Sequence, residues 1–496
     1  MSFQILNYSF ANKDIKLSHS NAFLNNNHCF TILTGKNGVG KSRLLVSIVS
    51  KYLKDKNSND LKNTDEPNKI IAISNIKTDK FPIRRNESDR YYYFGNKSGL
   101  PNRDLDRFFI FKNLLINSDI NKKSISQTFQ YLGFTSIVEI SFSVRRSSYL
   151  NTSDQFDKYL EVFEIYHSFF KKTLSSSMFE NFKDAFSIAM NHKAESYNKY
   201  NTEKMYEDNY ISFNRNGINR ISTLPITITD KIKKILNTED FLILDCIYKL
   251  HTQGQKITLD IFDRIVSLFS KDIDYISRNN QFTYNFNDNS SSFIFEDYVF
   301  LLKMDIVRIS NFWLLPTNSN TPIRFIDLSS GQQSLFNILL GIAAVIEDNS
   351  LICIDEPEVN LHPEWQTEFI IKLQTIFDHV KGCHFIIATH SPQIVSGLNT
   401  DSGYVVDLEN NILHSSIEYS KKSADYQLAK IFDAPGYNNE YIIKICLYLL
   451  SKIKDNTAFD KSDFLNLSEL HGFQSSLKTD DPVYYLVKEV ISLSEV

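Results

Sequence analysis

Three glycines, a lysine and a serine stand at fixed spacing in GKNGVGKS, residues 35–42. Glycine lets backbone N–H groups approach an anion closely, and a helix that follows points its positive N-terminal end at the same place. The pattern G-x-x-x-x-G-K-[ST] is met in full, and the expected chemistry is the cradling of phosphates. Gly35, Asn37, Gly38 and Gly40 form the loop of an ATP-binding stretch that runs through Lys41 and Ser42 to Arg43. Lys41 would neutralise the β- and γ-phosphates, and the Ser42 hydroxyl would bind Mg²⁺.

Two further patterns converge on the same chemistry. In SLICIDEP (350–357), Asp355 and Glu356 close an apolar run. Such a run reads as a buried parallel strand, and open parallel sheets bind ligands at the carboxyl ends of their strands. Asp355 suits Mg²⁺, directly or through water, and Glu356 suits a general base acting on the attacking water. In CHFIIATHSP (383–392), the apolar residues Phe385–Ala388 aim His390 at the same edge, where an imidazole can hydrogen-bond a γ-phosphate.

DLSSGQQSL (327–335) resembles a second phosphate loop. Ser329, Ser330 and Gly331, with Gln332 after them, precede a helix expected to start near Ser334. They offer hydroxyls, N–H groups and a helix N-terminus to an anion. The first loop fills its own site, so the expected target is the γ-phosphate held by another copy of the chain. Two chains would then enclose ATP between them. A simple Ser/Gly helix cap is the competing reading.

The surrounding elements must bring these tips to one edge. FQILNYSF, HCFTILT and NKIIAISN read as strands, and SRLLVSIVSKYL has helical spacing. SLFNILLGIAAVIE (334–347) is apolar nearly all round, as in a buried helix. Strand and helix alternate, and the strands are continuously apolar. The expected fold is therefore α/β: a largely parallel, mixed sheet with helices on both faces. Four segments follow. Residues 1–80 and 321–420 build one nucleotide-binding core, 81–320 form a mainly helical insertion, and 421–496 form a helical tail. In the tail, SADYQLAKIFDAPGYNNEY reads as helix, turn at Pro435–Gly436, and helix. Residues 54–68 and 285–292 are polar breaks, and no heptad pattern persists.

Composition narrows the function classes. A net charge of −4 over 496 residues supplies no global basic field, so any nucleic-acid site must be a local patch. Its candidates are Lys77, Lys80, Arg84, Arg85, Arg90, Arg145 and Arg146, set against the plain reading of a solvated surface. The five scattered cysteines among apolar neighbours read as buried thiols of a reducing compartment. The N-terminus has no basic region followed by an apolar run, and the longest apolar run, 338–346, is too short to span a bilayer. A cytoplasmic protein without a membrane segment is expected.

Taken together, GKNGVGKS, LSSGQQ, LICIDEPEVNLHP and IIATHSP resemble the ABC-type ATPases of the RecF and SMC class, over roughly residues 1–50 and 323–400. Within it they look like the compact bacterial ATPases related to the overcoming-lysogenisation-defect (OLD) family, whose Leu-His-Pro stands here at Leu361–Pro363. LHPEWQ, GCHFIIATHSP and DKFP (79–82) are similar to PtuA, the ATPase subunit of Septu and retron-linked anti-phage systems. The resemblance implies an ATPase with ATP and Mg²⁺ as cofactors. Lys41 and Ser42 would bind ATP·Mg²⁺, Asp355 would support the metal, Glu356 would be the base, Ser329 and Gly331 would act in trans, and His390 would be the switch.

Two departures stand out: Gln332 replaces the Glu of many relatives, and the glutamine that usually touches Mg²⁺ has no clear position, Gln127 and Gln130 being candidates. The implied assembly is a homo-oligomer, dimer or higher, joined through ATP. Its implied partner is a separate HNH-type nuclease (PtuB-like), with a reverse transcriptase and an RNA–DNA hybrid if the system is retron-linked. The alternative is a DNA-repair clamp of the RecF and SMC type binding DNA in an ATP-dependent way. A transporter ATPase ranks last, because such subunits are about half this length.

Overall fold

The computed structural model describes residues 2–20, 28–54, 66–76, 78–83, 90–95, 108–117, 121–144, 153–207, 226–252, 254, 256–270, 281–288, 293–304 and 306–494. The chain folds as two compact units, residues 1–136 with 314–496, and residues 137–313. The strands in chain order are β1 (Asn7–Phe10), β2 (Lys13–Lys16), β3 (His28–Thr34), β4 (Ile70–Ser74), β5 (Tyr91–Gly95), β6 (Phe134–Val144) and β7 (Gln281–Asn285). They continue with β8 (Val307–Pro316), β9 (Ile323–Arg324), β10 (Leu351–Asp355), β11 (Cys383–Ala388), β12 (Gly403–Asp407) and β13 (Ile412–Ser415).

The first unit is built on a seven-stranded sheet of order β13-β12-β3-β11-β10-β4-β5. Every pairing from β12 to β5 is parallel, and β13 closes one edge antiparallel to β12. Every residue of β3, β4, β10 and β11 is buried, as strands covered on both faces must be. On one face the helix Lys41–Lys54 sets Leu44, Leu45, Ile48 and Val49 against Leu33, Ile70, Ala72, Cys353 and Ile386. On the other, the helix Ser330–Ala343 packs on β4 and β5. Gly341 makes that approach possible, because an added Cβ would lie 3.1 Å from the Phe94 ring. The five cysteines are buried and unpaired, and no helix of the described residues is long and apolar enough to cross a membrane.

The tail consists of the helices Ala424–Lys430, Glu440–Lys454, Lys461–Gln474 and Pro482–Ser494. They share one apolar cluster in which Ile442, Cys446 and Leu449 meet Leu470, Phe473, Val487 and Val490. The expected helix, turn and helix around Pro435–Gly436 are present.

The second unit is helical in most of its length, from Ser153–Ile165 to Phe293–Lys303. Its core is aromatic: Phe163 stacks on Phe186 at 4.3 Å, and Phe170 lies 4.8 Å edge-on from Phe262. It also holds strands that a helical reading of this region passes over. β7 pairs antiparallel with β6, Ile137–Ser141 against Gln281–Asn285. In β6, Val138 and Ile140 are buried while Ile137 is exposed, the alternation of a half-covered strand.

Candidate functional site

The carboxyl edge of β3, β11, β10 and β4 gathers the expected residues of the first unit. After β3 the chain enters the loop 35–40 with φ of 134°, 86° and 110° at Gly35, Gly38 and Gly40. These left-handed values favour glycine at all three. The helix begins at Lys41, so its N-terminal N–H groups border the loop. Asn37 and Arg43 are exposed.

Lys41 folds back over its own loop. Its Nζ donates to Gly35 O at 2.7 Å and to Lys36 O at 3.3 Å, and lies 3.4 Å from His390 Nδ1. Burial holds its pKa below the usual lysine range, against the opposing pull of Glu356, Glu358, Asp355 and Glu409. Ser42 Oγ donates to Asp355 Oδ1 at 2.9 Å, joining residues 313 positions apart. Asp355 ends β10 and is almost fully buried. Burial pushes its carboxyl up to about 7; the Ser42 hydroxyl works the other way, while Glu356, Asp79 and Glu358 add to the rise.

Glu356 adopts φ of 48°, which turns the chain sharply off β10, and its N–H donates to Ala388 O at 2.9 Å. His390 stands two residues past β11, half-buried, its pKa lowered by burial and then by Lys41. An ammonium, a hydroxyl, an imidazole and two carboxylates thus meet at one sheet edge.

Ser329–Gln332 do something local. The helix starts at Ser330, four residues before the expected Ser334, because Ser329 caps it. Gln332 N donates to Ser329 Oγ at 3.2 Å, and Ser329 N donates to Gln332 Oε1 at 3.1 Å, a reciprocal capping box. Gln332 therefore has a cap role that a Glu fills equally well. Gly331 is buried, and a Cβ there would lie 2.7 Å from Asn360 O, so glycine is needed for packing within the chain. Ser329 and Ser330 remain exposed. Among the described residues no hydrogen bond joins this quartet to the loop 35–42, Asp355, Glu356 or His390.

Gln127 and Gln130 lie on the helix Lys122–Tyr131, which packs against the helices Ser330–Ala343 and Pro363–Ile376. From that helix Ser124 Oγ donates to Ile376 O and Tyr131 OH to Glu368 Oε2, and among the described residues neither Gln127 nor Gln130 bonds the set above. A different amide stands at the edge itself. Asn75 follows β4, whose Ser74 pairs with Asp355. It is 7% exposed, and among the described residues its Nδ2 has no hydrogen-bond partner. The sequence signal was a polar residue closing the apolar run of NKIIAISN. Of the basic candidates, Arg90 pairs with Glu66 at 2.7 Å and Lys80 is exposed. Lys77, Arg84, Arg85, Arg145 and Arg146 lie outside the described residues.

The family described as "AAA domain, putative AbiEii toxin, Type IV TA system" matches residues 30–396, a span that takes in every site residue above. The chain is similar to "Retron Vc95 probable ATPase" of Vibrio cholerae serotype O1 biovar El Tor, 25% identical over 250 residues, 45% of this chain and 47% of that protein. It is similar to "Septu protein PtuA" of Bacillus thuringiensis, 31% identical over 107 residues, 19% of this chain and 26% of that protein. "Retron Ec83 probable ATPase" of Escherichia coli is 28% identical over 100 residues, 18% of each chain. The matched parts span less than half the length of these curated relatives.

Proposed function

The chain belongs to this family of AAA domains, and from that premise we propose that it binds and hydrolyses ATP as a subunit of an anti-phage defence assembly. The observation that carries the reading is the Ser42–Asp355 hydrogen bond of 2.9 Å beside the buried Lys41. A hydroxyl and a carboxylate are hard oxygen donors that suit Mg²⁺. An ammonium and a carboxylate that burial disfavours are the groups that a phosphate and a divalent cation would relieve. Bound there, the metal would neutralise charge on the transferring phosphoryl group.

The remaining roles belong to the chain's own atoms. The loop N–H groups and Lys41 Nζ hold phosphate oxygens in place of Gly35 O and Lys36 O. Glu356, turned out at the strand end, accepts the proton of the attacking water. His390 Nδ1, 3.4 Å from Lys41 Nζ, registers the terminal phosphate. Asn75 Nδ2 supplies a donor at the same edge. Exposed Ser329 and Ser330 meet the nucleotide of a second copy, making each site a product of two chains.

The defence reading rests on similarity to retron and Septu ATPases. In it, assembly driven by ATP holds a separate HNH-type nuclease inactive, and a phage trigger releases it. Co-expression with the products of flanking genes, followed by affinity capture and phage challenge, tests this. A stable complex and protection are expected; neither complex nor protection sinks it. Tight ATP-dependent duplex binding by the chain alone would replace it with a repair clamp.

A further inference from the structure

The loop after β10 and the tip of β11 are tied together in both directions. Glu356 N–H donates to Ala388 O at 2.9 Å, and His390 N–H donates to Glu358 Oε1 at 2.5 Å. A second link runs beside them: Ser391 Oγ donates to Gln366 Oε1 at 2.6 Å, and Gln366 Nε2 donates to Leu361 O at 2.9 Å. We propose that Glu358 is a positioning residue that fixes the His390 backbone to the loop carrying Glu356, so that both groups keep one geometry across the phosphate pocket.

The inference rests on the ATPase reading of the site but assigns a residue that reading does not use. A carboxylate repels phosphate, and Oε1 of Glu358 already accepts an N–H, so the side chain is not a phosphate ligand. Its charge does reach Lys41, along with those of Glu356 and Asp355. Burial pushes its own carboxyl above the usual range, while the His390 N–H works the other way. A hydrogen bond from a backbone N–H to a charged acceptor is among the stronger fixed links available. Without it the tip of β11 can shift against the loop, and a misplacement of about 1 Å can slow catalysis about 100-fold.

The test compares Glu358→Ala, which removes the acceptor, with Glu358→Gln, which keeps an amide oxygen. Glu358→Ala should lower kcat roughly 10- to 100-fold while the affinity for ATP·Mg²⁺, read by displacement of a fluorescent nucleotide, stays within about threefold. Glu358→Gln should recover part of the loss. In a cycle with His390→Ala, the double variant should lose less than the product of the two single losses, because part of the effect of Glu358 passes through His390. Additive losses, or a Glu358→Ala variant as fast as the wild type, would overturn the proposal. Amide hydrogen exchange in a peptide covering 386–392 reads the same bond without turnover. Faster exchange in Glu358→Ala is expected, and unchanged exchange also overturns the proposal. A wild-type chain that neither binds nor hydrolyses ATP refutes the ATPase reading, and the exchange result still decides the Glu358 contact.

Discussion

Replacing Ser329 separates its observed role, capping a helix, from its proposed one, meeting an anion on another chain. Ser329→Ala removes the acceptor of Gln332 N–H and breaks the capping box. An N-cap serine changed to alanine costs about 1 kcal/mol, equivalent to about 1–2 °C in melting temperature for a unit of this size. Ser329→Asp keeps the cap, since aspartate accepts the same N–H and its charge suits a helix N-terminus. Its melting temperature should match or slightly exceed the wild type. The same carboxylate would face the phosphates of a nucleotide held by a second copy, so self-association induced by ATP·Mg²⁺ should be lost. The assay is differential scanning calorimetry on all three proteins, then light scattering after size exclusion with and without ATP·Mg²⁺. A stable Ser329→Asp protein that still assembles with ATP refutes the reasoning and leaves the segment as a cap alone.

Lys41→Ala removes charge-assisted donors from the phosphate pocket, a loss of about 1.5–3 kcal/mol, so nucleotide affinity should fall roughly tenfold to hundredfold by equilibrium binding. Chelation of Mg²⁺ should abolish hydrolysis in a phosphate-release assay while leaving weaker nucleotide binding. Burial pushes the His384 imidazole from 6.5 down to about 3, with its nitrogens occupied by Ile5 N–H and Thr31 Oγ1. Its folded pKa is depressed, so its contribution is complete above the unfolded value of 6.5 and is lost as pH falls toward 3. Denaturant midpoints should therefore drop across that window, by about 1.4 kcal/mol of stability per pH unit from this group, and His384→Gln should flatten the dependence. Deleting 456–496 strips Leu470, Phe473, Val487 and Val490 from Ile442, Cys446 and Leu449, so the truncated chain should aggregate, visible as light scattering.

The site was legible in the sequence wherever a motif sat at the end of an apolar strand. Gly35–Ser42, Asp355 and His390 each close such a run, and parallel pairing carries all three to one edge. Asn75 closes a run too, but a single asparagine matches no motif, and only the register of Ser74 with Asp355 gives it meaning. The start of the helix at Ser330 was missed because Ser-Ser-Gly reads as loop; reciprocal bonding between Ser329 and Gln332 is what extends the helix backward. Glu358 was passed over because its role depends on a contact with a residue 32 positions away. β5, YYYFG, lacks a clear period-2 signal, and β6 lies in a region whose helices dominate the pattern. Local periodicity recovers elements that bury a face by themselves, and it loses those defined by their neighbours.

In the function proposed above, ATP joins two copies of this chain at a shared site. Glu356→Gln removes the proposed base while leaving Lys41, Ser42 and Asp355 in place, so it should trap the nucleotide-bound state. The decisive measurement is the native mass of this variant with and without ATP·Mg²⁺. The expected result is a multiple of the 57.5 kDa chain mass that appears only with nucleotide and vanishes when Ser329→Asp is added. A monomer under every condition, with nucleotide bound, would contradict it.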